Sequence, residues 1–293
     1  MPDTPDRTYP AGVPCWVDTE QPDVSAAAEF YGGLFGWTFA DAIPPDAPGT
    51  YLIAALDGAD VAAIGPADGA TAWNTYFAVD DADATAGAVR SAGGTVTTEP
   101  VDAGPGGRRA DCVDPGGAAF RLWQPRRRLG AQVVNVPGAW NFSDLRTGDP
   151  AAALRFYEPL FGWEADDLGF ATVLKMPGYG DHLAATADPE IYQRQSAAGT
   201  PPGFADAIAW LVAGDGPQRW HVSFAVADRD ESADRAQALG ATVVASEDSD
   251  WTRTALIRDP QGATLTLSQF TPPGSAGCAA AVGVWSDRAD RPG

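Results

Sequence analysis

Side chains able to do chemistry are scarce in this chain, and that scarcity shapes what it can be. There are two histidines. His182 stands in YGDHLAAT and His221 in WHVSFAVAD, and a neutral imidazole at either place could act as base or ligand. The one lysine, Lys175, stands beside a turn-like MPGYGD stretch with no evident partner for Schiff-base work. Three cysteines, Cys15, Cys112 and Cys278, are scattered without CxxC spacing, so they form neither a disulfide framework nor a zinc knuckle. No GxGxxG follows a strand, and Walker, HExxH and GxSxG motifs are missing from the sequence. Ten tryptophans give an unusual supply of stacking surface.

The elements that must position these groups come in repeats. WVDTEQPDVSAAAEFYGGLFGW (16–37) is answered by FSDLRTGDPAAALRFYEPLFGW (142–163) at an offset of 126. WNTYFAVDD… (73–100) is answered by WHVSFAVAD… (220–247) at 147, and DPGGAAFRLWQ (114–124) by DPQGATLTLSQ (259–269) at 145. Two copies of one domain follow. Each copy starts with a strand (15–20; 141–146) and then a helix capped by Asp23 or Asp149. Ala27, Phe30, Tyr31 and Leu34 form the buried helical stripe, and Gly36 or Gly162 ends the helix. Three strands, a second strand–helix unit and three more strands complete a βαβββ–βαβββ domain. The expected fold class is α+β: two tandem domains, each a curled, mainly antiparallel sheet with outer helices. Expected bounds are 12–128 and 136–272, with a linker over 125–138 and a tail over 273–293. In the second copy, His182 is expected on the strand that closes the first module. An insertion over 187–218, loop-like from 199, is a lid, a binding element or decoration.

Composition narrows the partners. With 19 Lys+Arg against 39 Asp+Glu, the net charge is −20, which repels phosphate backbones and anionic lipid. No apolar run nears the roughly 20 residues of a membrane span, and the start has no signal-like apolar core. The expectation is a cytoplasmic protein, monomer or homodimer, binding neither nucleic acid nor membrane.

The βαβββ modules with FYxxLFGW and VDPxGxxFxLWQP resemble the vicinal oxygen chelate superfamily of glyoxalase I, extradiol dioxygenases and bleomycin-binding resistance proteins. The tandem arrangement is similar to two-domain actinobacterial proteins carrying glyoxylase or hydroxylase labels. The resemblance covers about residues 12–272. It implies a cleft in each domain, with metal ligands from the first strand of each module and the last strand of the domain. Those positions carry Trp16, Asn74 and Arg121 in the first copy and Phe142, His221 and Thr266 in the second. A catalytic divalent ion needs about three His or carboxylate ligands. The expectation is therefore no metal cofactor, with a divalent ion as the alternative and His182 and His221 as its first suspects.

Strand alternation puts Asp144 on the face of Phe142, and Asp18 on that of Trp16. Asp144 could orient His221, or tie a neighbouring loop as Asp18 would. Trp16, Trp123 and Phe142 would wall an apolar pocket for an aromatic or polycyclic ligand, or pack as core. Arg121 could hold a ligand's anionic group or pair with Asp18. His221 could instead be a packed strand residue, and His182 a solvated one. Three functions follow. One is a metal-independent binding or resistance protein for an aromatic small molecule of secondary metabolism. Another is a glyoxalase-like lyase, isomerase or hydroxylase using His221 and Asp144. The third is a regulatory module without small-molecule chemistry. The second copy, with both histidines, is the expected working half.

Overall fold

The computed structural model describes residues 7–168 and 171–272; the tail over 273–293, with Cys278, lies outside them. Half one runs β1 (Pro14–Gln21), α1 (Val24–Phe35), β2 (Thr38–Asp41), β3 (Leu52–Leu56), β4 (Ala59–Pro66), β5 (Ala72–Ala78), α2 (Ala82–Ser91), β6 (Thr95–Asp102), β7 (Gly107–Val113) and β8 (Ala119–Pro125). Half two runs β9 (Trp140–Thr147), α3 (Pro150–Phe161), β10 (Glu164–Asp167), β11 (Thr172–Lys175), α4 (Tyr179–Ala185), α5 (Ile191–Ala198), β12 (Ala207–Ala213), β13 (Arg219–Ala225), α6 (Arg229–Ala238), β14 (Thr242–Asp248), β15 (Thr252–Arg258) and β16 (Thr264–Phe270). Each half forms an eight-stranded sheet. The strand orders, β2-β3-β4-β1-β5-β8-β7-β6 and β10-β11-β12-β9-β13-β16-β15-β14, are the same arrangement twice.

Local chemistry sets the helix ends. The Asp23 and Asp149 carboxylates each accept from the backbone N–H three residues on, at 2.9 Å, satisfying a donor that the helix leaves open. Gly36 and Gly162 close α1 and α3 at φ 76° and 74°, a left-handed conformation that glycine adopts without penalty.

The buried stripes of these helices do not stay at home. Tyr31, Leu34 and Phe35 of α1 pack with Phe224, Ile257, Leu265 and Leu267 of half two. Phe156, Tyr157 and Phe161 of α3 pack with Phe77, Phe120 and Leu122 of half one. Each core therefore joins the first module of one half to the second module of the other. Matched hydrogen bonds fasten the exchange. Tyr31 donates to Asp259 at 2.7 Å and Tyr157 to Asp114 at 2.8 Å. Trp37 donates to the Gly138 carbonyl at 2.7 Å and Trp163 to that of Gly12 at 2.8 Å. Asp114 and Asp259 are the aspartates of the DPGG and DPQG turns, whose backbone N–H groups they also hold.

One expectation about half two needs correction. The extra chain lies before β12 and begins with two helices, and AIAWLVA (207–213) is the strand that closes the first module. His182 is therefore on helix α4, not on a strand. Tyr179 and Leu183, four residues apart, are buried as a helical stripe, and the Asp206 carboxylate accepts from the Gly180 N–H at 2.7 Å to hold the first turn. That local capping and packing decides the conformation.

Candidate functional site

In both sheets the first strand of each module runs side by side, and the registers match residue for residue. Trp16 faces Tyr76 and Asp18 faces Asn74; Phe142 faces Ser223 and Asp144 faces His221. Arg121 lies beside Tyr76, and Thr266 beside Ser223. Directly opposed residues share a face, so each set looks into its own cleft.

The half-one cleft is filled. Arg121 donates to both oxygens of Asp18, at 2.9 and 3.1 Å, and to Tyr76 at 2.8 Å, and it is ion-paired with Glu20. Asp111 lies 3.2 Å from its Nε. Asn74 and Tyr51 donate to Asp18 at 2.9 Å each, and Tyr76 also donates to it. Burial opposes the Arg121 charge, but Asp18, Tyr76, Glu20 and Asp111 outweigh it and raise its pKa. Burial and the Asp18 charge likewise raise the Tyr51 and Tyr76 phenols, which stay protonated donors. Of the two roles open to Arg121, the structure thus shows the pairing with Asp18. Trp16 and Trp123 are 4% and 8% exposed. Their indole N–H groups are spent on Tyr51 at 3.2 Å and on the Arg128 carbonyl at 2.9 Å. They pack as core rather than as open pocket walls.

Half two keeps the frame with shorter side chains. Serine, threonine and serine (Ser223, Thr266, Ser268) stand at the positions of Tyr76, Arg121 and Trp123, and Leu256 at that of Asp111. Phe142 and Trp210 are partly exposed with ring centroids 6.0 Å apart, and Phe204, from the turn after the helical insertion, lies 5.7 Å from Trp210. Asp144 has lost the partners that surround Asp18. Among the described residues it pairs with Arg146, at 3.8 Å, too long for a hydrogen bond. Burial lifts its carboxyl to about 6 despite the pull of Arg146. His221 is 3% exposed, with Nε2 2.8 Å from the Thr266 hydroxyl. Burial, then Arg146 and Arg219, lower its pKa to about 3, so the imidazole is neutral at ordinary pH. A neutral imidazole thus stands opposite a carboxyl whose pKa burial has raised.

The sequence expectations sort accordingly. Asp144, Phe142, His221 and Thr266 share a face of one sheet, and Trp16, Asp18, Asn74, Arg121 and Trp123 the matching face of the other, while Asn74 and His221 also line one cavity where the halves meet. His182 joins neither: its Nε2 is bonded to Thr8, 3.0 Å from Oγ1 and 3.1 Å from the carbonyl oxygen. Trp210, Phe204, Arg146 and Arg219 were not singled out by sequence. Arg146 and Arg219 lie two residues from Asp144 and His221, so strand alternation alone was a signal for both.

Family comparisons agree with this frame. Residues 140–268 match the glyoxalase-like domain family, and residues 21–122 match the glyoxalase/bleomycin resistance protein/dioxygenase superfamily. The Mycobacterium tuberculosis (strain CDC 1551 / Oshkosh) protein named "Putative glyoxylase CFP32" is 37% identical over 273 residues, covering 90% of this chain and 97% of its own. The chain belongs to the glyoxalase/bleomycin resistance protein/dioxygenase superfamily. "Anthracycline biosynthesis protein DnrV" of Streptomyces peucetius is 34% identical over 280 residues, covering 89% of this chain and 94% of its own. Among solved structures, the Mn(II)-bound glyoxalase of Novosphingobium aromaticivorans aligns with TM-score 0.58 at 17% identity, covering 88% of this chain and 82% of that one. The 2,2',3-trihydroxybiphenyl 1,2-dioxygenase of Sphingomonas wittichii RW1 aligns with TM-score 0.55 at 13% identity, covering 91% and 94%. These two show a shared fold.

The metal that this superfamily implies does not fit the residues present. In half one a guanidinium, locked to Asp18, occupies the last-strand position and would repel a cation. In half two the three positions offer one imidazole, one hydroxyl and a phenyl ring. Among the described residues no three His, Cys, Asp or Glu side chains come together as a metal-binding group.

Proposed function

We propose that the half-two cleft receives an aromatic small molecule of bacterial secondary metabolism and holds it without a divalent ion, as a binding or resistance protein does. One observation carries this reading. At five matched positions, a packed lattice of Trp16, Asp18, Tyr76, Arg121 and Trp123 becomes Phe142, Asp144, Ser223, Thr266 and Ser268. Three long side chains give way to three short hydroxyl residues, and the carboxylate at the centre loses its partners. Phe142, Trp210 and Phe204 cluster ring to ring in half two and would offer a planar ligand an apolar surface. The anthracycline biosynthesis relatives support an aromatic, polycyclic ligand class. A second reading, acid–base catalysis of a lyase, isomerase or hydroxylase type, is favoured by the carboxyl of Asp144 near 6 beside neutral His221.

The cytoplasm is the compartment we infer, Cys15 and Cys112 being buried free thiols, and no helix among the described residues is long and apolar enough to cross a membrane. Because each half completes the other's core, a single chain suffices to build both clefts, which supports a monomer.

The test is a fluorescence titration of an anthracycline into the parent protein and two single variants. Ser223→Tyr restores the half-one filling in half two and is expected to weaken binding at least tenfold. Tyr76→Ser, at the matching position in half one, is expected to leave it within twofold. Loss of binding in Tyr76→Ser with none in Ser223→Tyr would place the site in half one. Thermal midpoints measured on both variants separate blocked binding from unfolding.

A further inference from the structure

Arg146 of β9 stands directly opposite Arg219 of β13. Like charges facing each other across an antiparallel pair destabilise a sheet. Half one avoids this: the same register holds Glu20 opposite Ala72, and Glu20 is ion-paired with Arg121. Half two therefore presents two guanidiniums where half one presents a single carboxylate. Their counter-charge is thin. Arg146 lies 3.8 Å from Asp144, and its Nε is buried without a hydrogen-bond partner. Arg219 is exposed, its side chain reaching only the Pro217 carbonyl at 3.5 Å, and among the described residues no acidic side chain pairs with it. In a chain with 39 acidic and 19 basic residues, two facing arginines short of acid run against the composition. Arg219 also lines, with Asn74, His221 and Thr264, a cavity of about 310 Å³ where the two halves meet.

We propose that Arg146 and Arg219 together bind a carboxylate of the ligand, so that the half-two cleft selects an aromatic acid over its neutral analogue. This rests on the reading of half two as the ligand cleft. A guanidinium offers a planar fork that matches a carboxylate, and one anion between two such forks relieves their repulsion. The reach is right. Trp210 is level with Asp144 on the neighbouring strand, and two residues of strand set Arg146 about 7 Å further along. A ligand stacked near Trp210 would carry its acid group toward the arginine pair, past Asp144 and His221.

Calorimetric titrations with 2-naphthoate and 2-naphthylmethanol, which share a ring system and differ in charge, test the proposal. The parent protein is expected to bind the acid at least tenfold more tightly. In the Arg146→Gln/Arg219→Gln double variant the two probes are expected to bind alike, with the alcohol within twofold of its parent affinity. The thermal midpoint of the double variant should hold or rise, because a like-charge pair is removed. Equal affinities in the parent, or a preference for the acid that survives in the double variant, would overturn the proposal while leaving the aromatic cleft standing. Failure of both probes to bind the parent would overturn the cleft reading and the proposal with it.

Discussion

Asp144→Asn keeps the size and planar shape of a side chain while removing its ionisable proton, and its effect can be worked out in advance. Burial lifts the carboxyl from its ordinary 3.8 to about 6. That gap is about 2 pH units at about 1.4 kcal/mol each, so ionised Asp144 costs the native state about 3 kcal/mol. The side chain is 14% exposed, so solvent screening trims this little. Between those two pH values the native state holds a proton that the unfolded chain has released, and its contribution to stability falls as pH rises. His221 works in the opposite sense: its pKa drops from 6.5 to about 3, so the unfolded chain holds the extra proton and stability rises with pH over that range. The two effects oppose each other in the parent, so the difference between variant and parent carries the information. Urea unfolding at several pH values from 4 to 8 measures it. The variant is expected to match the parent near pH 4 and to exceed it by up to about 3 kcal/mol at pH 8. A variant less stable than the parent at pH 8, or a difference that does not change with pH, would refute the account of a buried carboxyl short of partners.

Other outcomes follow from the same structure. Tyr31→Phe and Tyr157→Phe each remove a hydrogen bond to a buried carboxylate that joins the halves and leave the indole N–H of Trp73 or Trp220 without its phenol acceptor, and each is expected to cost at least about 1.5–3 kcal/mol in chemical denaturation. His221, held neutral by burial, is expected to show no imidazole titration by NMR between pH 5 and 8; a midpoint near 6.5 would mean an exposed ring. A Cβ on Gly130 would sit 2.5 Å from the Cys15 carbonyl, and its φ is +139°, so Gly130→Ala is expected to lower the thermal midpoint clearly. Burial pushes the Cys112 thiol up to about 12 and Cys15 higher still, so neither is expected to react with a thiol reagent until the protein unfolds.

Much of the fold was legible because its signals are local and occur twice. Asp23 and Asp149 cap helices, Gly36 and Gly162 end them, and period-two alternation put Asp144 with Phe142 on one face. The pairing of Asp144 with His221 came from alternation combined with the family resemblance. What stayed hidden is what the chain does at long range. That α1 buries its stripe on half two depends on packing across more than 200 residues of sequence, although Tyr31 and Asp259 both sat in repeated motifs. His182 was misplaced because YGDHLAAT is too short for periodicity to separate helix from strand, and a cap from Asp206 settles it. Trp16 and Trp123 looked like pocket walls because their strands face the cleft, but burial turns on Arg121 and Tyr76 filling the space beside them. Ser223 and Ser268 carry no motif of their own, and what sets them apart is the contrast with Tyr76 and Trp123 at the matching strand positions.

The measurement that bears most directly on the claim that half two is the working half is an indole N–H NMR titration with an anthracycline. Trp210→Phe and Trp16→Phe assign the two signals that matter. The Trp210 resonance is expected to shift in a saturable way while that of Trp16 stays in place, because the proposed ligand stacks near Trp210, beside Phe142, whereas Trp16 is bonded to Tyr51 in the filled half-one cleft. A saturable shift of Trp16 with Trp210 unmoved would contradict the account and give the site to half one.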